Sequence, residues 1–494
     1  MITALASGFA LSLMIVQPAR SQSVDEEIKS LKEKLAILES TQIELKKEAT
    51  AAAAALPSFS YRPGNGINIE AADKSWSFRA ALESHFRMNF LSGKDEIGRT
   101  NGEIEGRRFR PEFYYCLNNC LWELDARLDL DGFGGGPVNA TGDEFNSIMQ
   151  RAALHFHAEN LHPWLPTATI GMDISGAATS TMRQGSGAVG AQAEYDLHTA
   201  NNGNNTGRAG NGIVLDWDNR SLSAIGIPGR INRFQLSMAN IAEGNEGLSS
   251  FTDRKDFNIF LGVSPFSQIK NKWLQGITIE GAVWFCNVDD RALENGCSRY
   301  RIRDNSRAGR QTLFDTGGNS IGEGLHTTFT PGFGWQIGPY RLRTMGHFQV
   351  SEDGAGAIGA ASTPGKKRAY SWLIGHDLFL WSPKGFFTGS PTTPGSILVG
   401  AHFERVDMRC STIACGPDGD DINGGEFKSN HVILREWDLW YFIAPRMSVG
   451  GSVLWYDAKK IRSSVQENLD IRKNGIAGRG GEWVDVFLNW RYQF

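Results

Sequence analysis

The twelve residues from Trp483 to Phe494, W-V-D-V-F-L-N-W-R-Y-Q-F, constrain the fold of this chain more than any other stretch. Counted back in twos from the end, Phe494, Tyr492, Trp490, Leu488, Val486 and Val484 are all apolar or aromatic. The intervening set is Gln493, Arg491, Asn489, Phe487 and Asp485. Successive side chains of a strand point to opposite faces, so this segment as a strand has one apolar face and one largely polar, charged face. A soluble sheet shows that pattern in places. A transmembrane β-barrel requires it in every strand, because one face meets lipid and the other a watery interior.

The same alternation recurs along the chain. From Trp76 to Phe90, Trp76, Phe78, Ala80, Leu82, Phe86, Met88 and Phe90 share one face, and Arg79, Glu83, His85, Arg87 and Asn89 share the other. In 108–115, Phe109, Phe113 and Tyr115 oppose Arg108, Arg110 and Glu112. In 121–131, Leu124, Ala126, Leu128 and Leu130 alternate with Glu123, Asp125, Arg127, Asp129 and Asp131. Comparable segments fall near 148–158, 167–173, 212–218, 230–239, 254–264, 275–288, 324–337, 339–350, 368–381, 395–408, 431–443 and 446–458. With 483–494 these make sixteen, an even number, as in single-chain bacterial barrels. Connections alternate between long (174–211, 289–323, 351–367, 409–430, 459–482) and short (117–119, 338, 444–445). Short turns at one end and long loops at the other are what an outer-membrane barrel has, and a soluble sandwich has no reason for this parity. The expected fold is all-β: a 16-stranded antiparallel transmembrane β-barrel with a short N-terminal periplasmic coiled-coil helix.

Composition agrees. Hydrophobic residues make up 41% of the 494, without any run of the about 20 apolar residues that a membrane-spanning helix needs. The 57 Gly, 14 Trp and 28 Phe suit Gly-rich loops and aromatic girdles. A formal net charge of -4 gives no bulk attraction for nucleic acid. The apolar stretch from Ala4 to Val16, followed by Ala19-Arg20-Ser21, reads as a secretory signal at 1–21, although no Lys or Arg precedes it. In 22–56, Ile28, Leu35 and Gln42 at heptad position a, and Leu31, Leu38 and Leu45 at d, make a coiled-coil seam; a lone amphipathic helix lying on the barrel is the other reading. A linker at 57–74, with Pro63-Gly64-Asn65-Gly66, leads into a barrel at 75–494. Both ends of an even barrel lie on the periplasmic side, which puts the N-terminal segment there.

Several motifs together resemble the phosphate-selective porin O and P family. They are the coiled-coil start, the Gly-rich entry, Glu105-Gly106-Arg107-Arg108-Phe109-Arg110-Pro111, and Leu128-Asp129-Leu130-Asp131-Gly132-Phe133. Asp438-Leu439-Trp440-Tyr441 before Ala444-Pro445-Arg446 resembles the family's aromatic strand and Pro turn, and the terminal aromatic residue resembles that of outer-membrane barrels generally. The resemblance implies a homotrimeric outer-membrane channel with an inward-folded loop and basic residues along its path. Phosphate-specific members carry a lysine cluster near the constriction. Here the one compact basic run is Lys366-Lys367-Arg368, at a loop edge.

A channel of this kind performs no catalysis; it selects by electrostatics within low-dielectric walls. The expected anion path is Arg79, Arg87, Arg108, Arg110, Arg127, Arg341, Arg343 and Arg491, all on the inward face with Arg233. Arg341 and Arg343, two apart, are spaced to pass a phosphate between bidentate contacts. Inward acids (Glu83, Glu112, Glu123, Asp125, Asp129, Asp131, Glu280, Asp377, Glu404, Asp438 and Asp485) are nearly as numerous, and cross-strand ion pairing on a solvated wall is the competing reading. Gly176–Gly210 is the expected constriction loop, with Arg183 and Arg208 facing the path. Arg299, Arg301 and Arg303 form a basic outer loop. The Gly185-Ser186-Gly187-Ala188-Val189-Gly190 stretch lacks the strand and helix of a dinucleotide site.

Six cysteines allow fifteen pairings, and three are local: Cys116/Cys120, Cys286/Cys297 and Cys410/Cys415. An exported barrel meets an oxidising compartment, which favours disulfides in those pairs. His155 and His157 share a face but have no third ligand in view, so no metal and no cofactor is expected. The expected partners are outer-membrane lipid, small anionic or hydrophilic solutes and further copies of the chain. The expected function is passive diffusion of such solutes, phosphate or polyphosphate among them. A barrel serving adhesion or sheathing a partner is the alternative.

Overall fold

In the computed structural model, residues 24–63, 65–94, 100–128, 130, 149–174, 210–224, 226, 231–240, 256–288, 301–303, 312–315, 324–352, 366–410, 428–445, 447–457 and 482–493 are described. The signal segment, most of the long connections and Phe494 fall outside them.

Helix α1 spans Val24–Ala55 and belongs to a unit of its own. At about 1.5 Å per residue its 32 residues extend for about 48 Å. The seam residues Ile28, Leu31, Leu35, Leu38 and Leu45 are all exposed. Pro57 lacks the N–H that another turn would use and disfavours helix in the residue before it. Among the described residues no helix is long and apolar enough to cross a membrane.

The second unit is one sheet. A hairpin of β1 (Ser58–Arg62) and β2 (Gly66–Glu70) leads into β3 (Trp76–Lys94), β4 (Thr100–Leu117), β5 (Trp122–Leu128), β6 (Met149–His157) and β7 (Thr167–Ile174). Then come β8 (Gly210–Asp218), β9 (Ile231–Asn240), β10 (Asp256–Val263) and β11 (Ile277–Val288). A separate two-stranded ribbon, β12 (Arg301–Arg303) and β13 (Thr312–Asp315), interrupts the series. It resumes with β14 (Gly324–Ile337), β15 (Tyr340–Glu352) and β16 (Lys366–Ser382), and β17 (Gly385–Phe386) folds back on the end of β16. Last are β18 (Ser396–Cys410), β19 (Lys428–Ala444), β20 (Met447–Asp457) and β21 (Glu482–Gln493). Every pairing is antiparallel. The final strand, β21, pairs with β3 through Leu488↔Met88 and Asn489↔Arg87. That contact closes a barrel of sixteen strands, the number and the closure expected from the alternation.

The faces separate as the pattern demands. In β21, Leu488 and Trp490 are 52% and 53% exposed on the outside, while Asp485 and Phe487 are 0% exposed on the inside. In β19, Trp437, Leu439, Tyr441 and Ile443 face out, and Glu436, Asp438, Trp440 and Phe442 face in. Apolar side chains turned outward around a closed sheet leave no backbone polar group for lipid to strand. The interior is not wholly polar, however. Trp284, Trp440, Tyr456 and Phe487 are buried there among the charges.

Two strand boundaries differ from expectation. β4 begins at Thr100 rather than near 108, because Gly106 back to Gly102 pair with the far end of β3 from Phe86 to Phe90, and Thr100 pairs with Lys94. β5 ends at Leu128. Within the stretch read as a linker, β1 and β2 pair with each other, and β2 pairs with β3 from Ile67↔Ala80 to Glu70↔Ser77. It thereby continues the β3 edge beyond the point where β21 ends at Gln493↔Glu83.

Turn chemistry accounts for the tight connections. Gly338 takes a φ of +52° before Pro339, the positive-then-negative order of a two-residue hairpin turn. Asn271 caps α2 (Lys272–Gln275) by accepting the Trp273 N–H at 2.9 Å. Gly66, φ +77°, sits where a Cβ would stand 2.0 Å from the Ala80 carbonyl oxygen. Gly66→Ala is therefore expected to cost about 1–3 kcal/mol. Heat-modifiable gel mobility of the folded barrel should show its transition at a lower temperature than in the wild type.

Candidate functional site

The inward wall carries the candidate residues, and cross-strand register decides which of them meet. On β15, Arg341 and Arg343 both point in, as their two-residue spacing predicts. Their register partner region on β16 supplies Asp377, opposite Arg341. Arg341 Nε donates to Asp377 Oδ2 at 2.9 Å, and Arg343 Nη2 donates to the same oxygen at 3.1 Å. The Asp377 side chain is 1% exposed. Its other oxygen, Oδ1, lies 3.1 Å from His402 Nε2 on β18, and His402 Nδ1 lies 3.3 Å from Glu436 Oε2 on β19. One wall thus holds a continuous run of paired ionisable side chains across four strands.

The other wall is built in the same way. Arg127 on β5 pairs with Glu112 on β4, which also accepts from the Tyr114 hydroxyl at 3.0 Å. Arg151 on β6 pairs with Asp125 at 3.0 Å, and Arg233 on β9 donates through Nε to Asp216 on β8 at 2.8 Å. Three inward guanidinium groups lie over aromatic faces: Arg79 over Tyr114 at 3.8 Å, Arg491 over Trp440 at 4.6 Å, and Arg87 over Phe487 at 5.0 Å. A ring face holds a cation while leaving its N–H edges pointing elsewhere, and contributes about 0.5–2 kcal/mol. Arg87, Arg110 and Arg491 are buried on this wall. His85 Nε2 and Asn489 Oδ1 approach to 3.0 Å across the closing seam.

The competing reading of the sequence therefore describes Arg127, Arg233, Arg341 and Arg343: each is engaged by a cross-strand carboxylate. The reason is register. A barrel with comparable numbers of inward acids and bases brings opposite charges side by side, and pairing offsets part of their desolvation. Arg341 and Arg343, spaced to pass a phosphate between them, both share Asp377 Oδ2.

At the end of the barrel that carries the short turns, Cys116 and Cys120 form a disulfide across the β4–β5 turn. Asn118, Asn119 and Cys120 all have positive φ in that turn, and Asn is among the residues that tolerate this conformation. His157 Nδ1 is 2.9 Å from Glu159 Oε1, and His155 Nδ1 is 2.8 Å from Thr169 Oγ1, so the two histidines have separate partners. Arg301 and Arg303 lie in the β12–β13 ribbon and Arg108 in β4, but their side chains fall outside the described residues. So do Arg183, Arg208, Arg299, Cys297, Cys415 and the side chains of Cys286 and Cys410.

Sequence reasoning missed two members of the charged run. Glu436 and His402 were passed over, although each stands two residues from an acid already placed inward, Asp438 and Glu404 respectively. Applying the same alternation to the whole of β18 and β19 would have found both.

No protein-family model matches this chain, and no curated protein matches it. Solved structures do. An outer-membrane channel, DcaP of Acinetobacter baumannii, is similar at 9% identity and a TM-score of 0.47, over 85% of this chain and 98% of that one. OmpT, an outer-membrane protein of Vibrio cholerae in trimer form, is similar at 10% identity and 0.45, over 85% and 100%. The outer-membrane protein opdK from Pseudomonas aeruginosa gives 11% and 0.35, over 84% and 99%. The strand pairing and closure described above establish the barrel independently of these likenesses.

Proposed function

We propose that this protein is an outer-membrane porin through which small hydrophilic solutes diffuse passively, with a preference for anions. The observation that carries this reading is a closed sixteen-stranded barrel with an apolar outer belt and an inner wall of ionisable side chains. Such a belt needs lipid, and such a wall needs water and mobile ions to screen it. Support for the preference for anions comes from the guanidinium groups turned inward, three of which lie over aromatic rings. Phosphate and polyphosphate belong to the class such groups recognise. The exposed seam of α1 fits a periplasmic coiled coil that joins three copies of the chain.

The expected result in a planar bilayer under a KCl gradient is a reversal potential of the sign that favours chloride. Arg341→Ala with Arg343→Ala should move that potential toward cations, because Asp377 then loses both of its guanidinium partners. A potential unchanged by the double substitution removes these residues from the selecting wall.

A second reading, a barrel that binds a partner or serves adhesion without selective transport, draws on how tightly the inner wall packs. Arg87, Asp377, Glu436 and Asp485 are each 1% exposed or less. Flux of small neutral sugars into proteoliposomes separates the two, since only the porin lets them swell.

A further inference from the structure

Two neighbouring rows of the inner wall converge on His402. In one row Arg341, Asp377, Gly400 and Asp438 stand side by side across β15, β16, β18 and β19; in the next stand Arg343, Gly375, His402 and Glu436. Gly400 leaves a notch in the first row. A Cβ there would lie 2.3 Å from Asp438 Oδ1, so the Asp438 carboxylate lies over the β18 backbone, beside His402. His402 Nδ1 stands 3.3 Å from Glu436 Oε2 and 3.8 Å from Asp438 Oδ2. Donor atoms around a tetrahedral ion with bonds of about 2.0–2.1 Å stand about 3.3 Å apart, so small side-chain adjustments bring all three onto one ion.

The far side of the ring supports the same reading. His402 Nε2 is 3.1 Å from Asp377 Oδ1. Donation of that N–H to Asp377 leaves the Nδ1 lone pair directed at the two carboxylates, the carboxylate–histidine–metal order that orients metal-binding imidazoles. Asp377 is itself fixed by Arg341 and Arg343 on its other oxygen. Glu436 Oε1 is buried and has no hydrogen-bond partner among the described residues, which leaves a second oxygen for an ion. Among the described residues, the other group of this kind contains Cys116 and Cys120, whose sulfurs are already joined.

We propose that His402, Glu436 and Asp438 bind a divalent transition metal of the zinc class on the inner wall, with Asp377 as the positioning residue for His402. The ion ties β18 to β19 and adds positive charge beside Arg341 and Arg343. It thereby makes anion preference depend on metal occupancy.

The test uses the full-length folded protein in detergent, stripped with EDTA and titrated with ZnCl2 by calorimetry and with CoCl2 by visible absorption. Neither readout needs conductance, so failure here is distinct from failure of the porin reading. One zinc ion per chain is expected, with cobalt d–d bands of a nitrogen-and-oxygen ligand set. His402→Gln and Glu436→Gln should each abolish uptake, and Asp377→Asn should weaken it by about 10–100-fold. His376→Gln, whose ring lies on the outer face beside the Tyr340 hydroxyl, should leave it unchanged. Should a variant fail to fold, the cobalt-loaded wild type still decides: a hyperfine-shifted, slowly exchanging imidazole N–H is expected from Nε2 held by Asp377, and its absence contradicts the site. No uptake by the wild type overturns the proposal and leaves His402 as an imidazolium between Asp377 and Glu436. Uptake that survives both His402→Gln and Glu436→Gln overturns it as well.

Discussion

Asp377→Ala is expected to destabilise the folded barrel by about 3–5 kcal/mol, the cost of leaving buried charges without their counter-charge. Asp377 holds Arg341 and Arg343 through one oxygen and meets His402 through the other, at 1% side-chain exposure. Removing it takes from two guanidinium groups the buried carboxylate that they share. Urea unfolding in lipid, followed by tryptophan fluorescence with EDTA present, should show the loss. Adding Arg341→Met and Arg343→Met to Asp377→Ala should restore most of it, because the triple variant removes the guanidinium groups together with the carboxylate that they share. A single variant within about 0.5 kcal/mol of the wild type, the range of ordinary surface changes, would mean that water reaches and screens this cluster. In the same variant the reversal potential should move further toward anions. Stability and selectivity thus change in a way that a purely packing role for Asp377 does not produce.

The second large effect lies on the other face of the barrel. Leu488→Arg, in the middle of the outer face of β21, should cost about 2–4 kcal/mol, and Tyr492→Arg, near the end of the same face, about 0–1 kcal/mol. Both side chains point outward, so the difference reads depth in a hydrocarbon layer rather than local packing. If water covered this face, the two substitutions would cost about the same. Refolding titrations into lipid vesicles measure both.

The contrast between these two predictions follows what was legible in the sequence. Outward residues such as Leu488, Trp490, Trp437 and Leu439 repeat every second position because lipid requires it of each strand separately. A short window therefore reveals them, and strand number, turn parity and closure of β21 on β3 follow by counting. Where the outward set is thin, the pattern fails. Thr100–Arg107 has a single large apolar residue, Ile104, and the start of β4 was missed there although Ile104 faces outward, 74% exposed.

Inward contacts depend instead on register between strands, which no single segment encodes. Arg343 and Asp377 are 34 residues apart and His402 lies 25 beyond Asp377, yet the three share one hydrogen-bonded cluster. Their inward orientation was legible for Arg341, Arg343 and Asp377; their mutual neutralisation was not. The β1–β2 hairpin escaped for a related reason. It is short, and its place is set by the β3 edge that β21 leaves unpaired, a consequence of where the last strand stops.

Single-channel recording of the purified, folded protein in a planar lipid bilayer tests the porin reading most directly. Insertion should produce discrete, ohmic conductance steps in KCl, with a reversal potential that favours chloride when the salt is asymmetric. Folded, heat-modifiable protein that inserts into the bilayer and carries no current would contradict it.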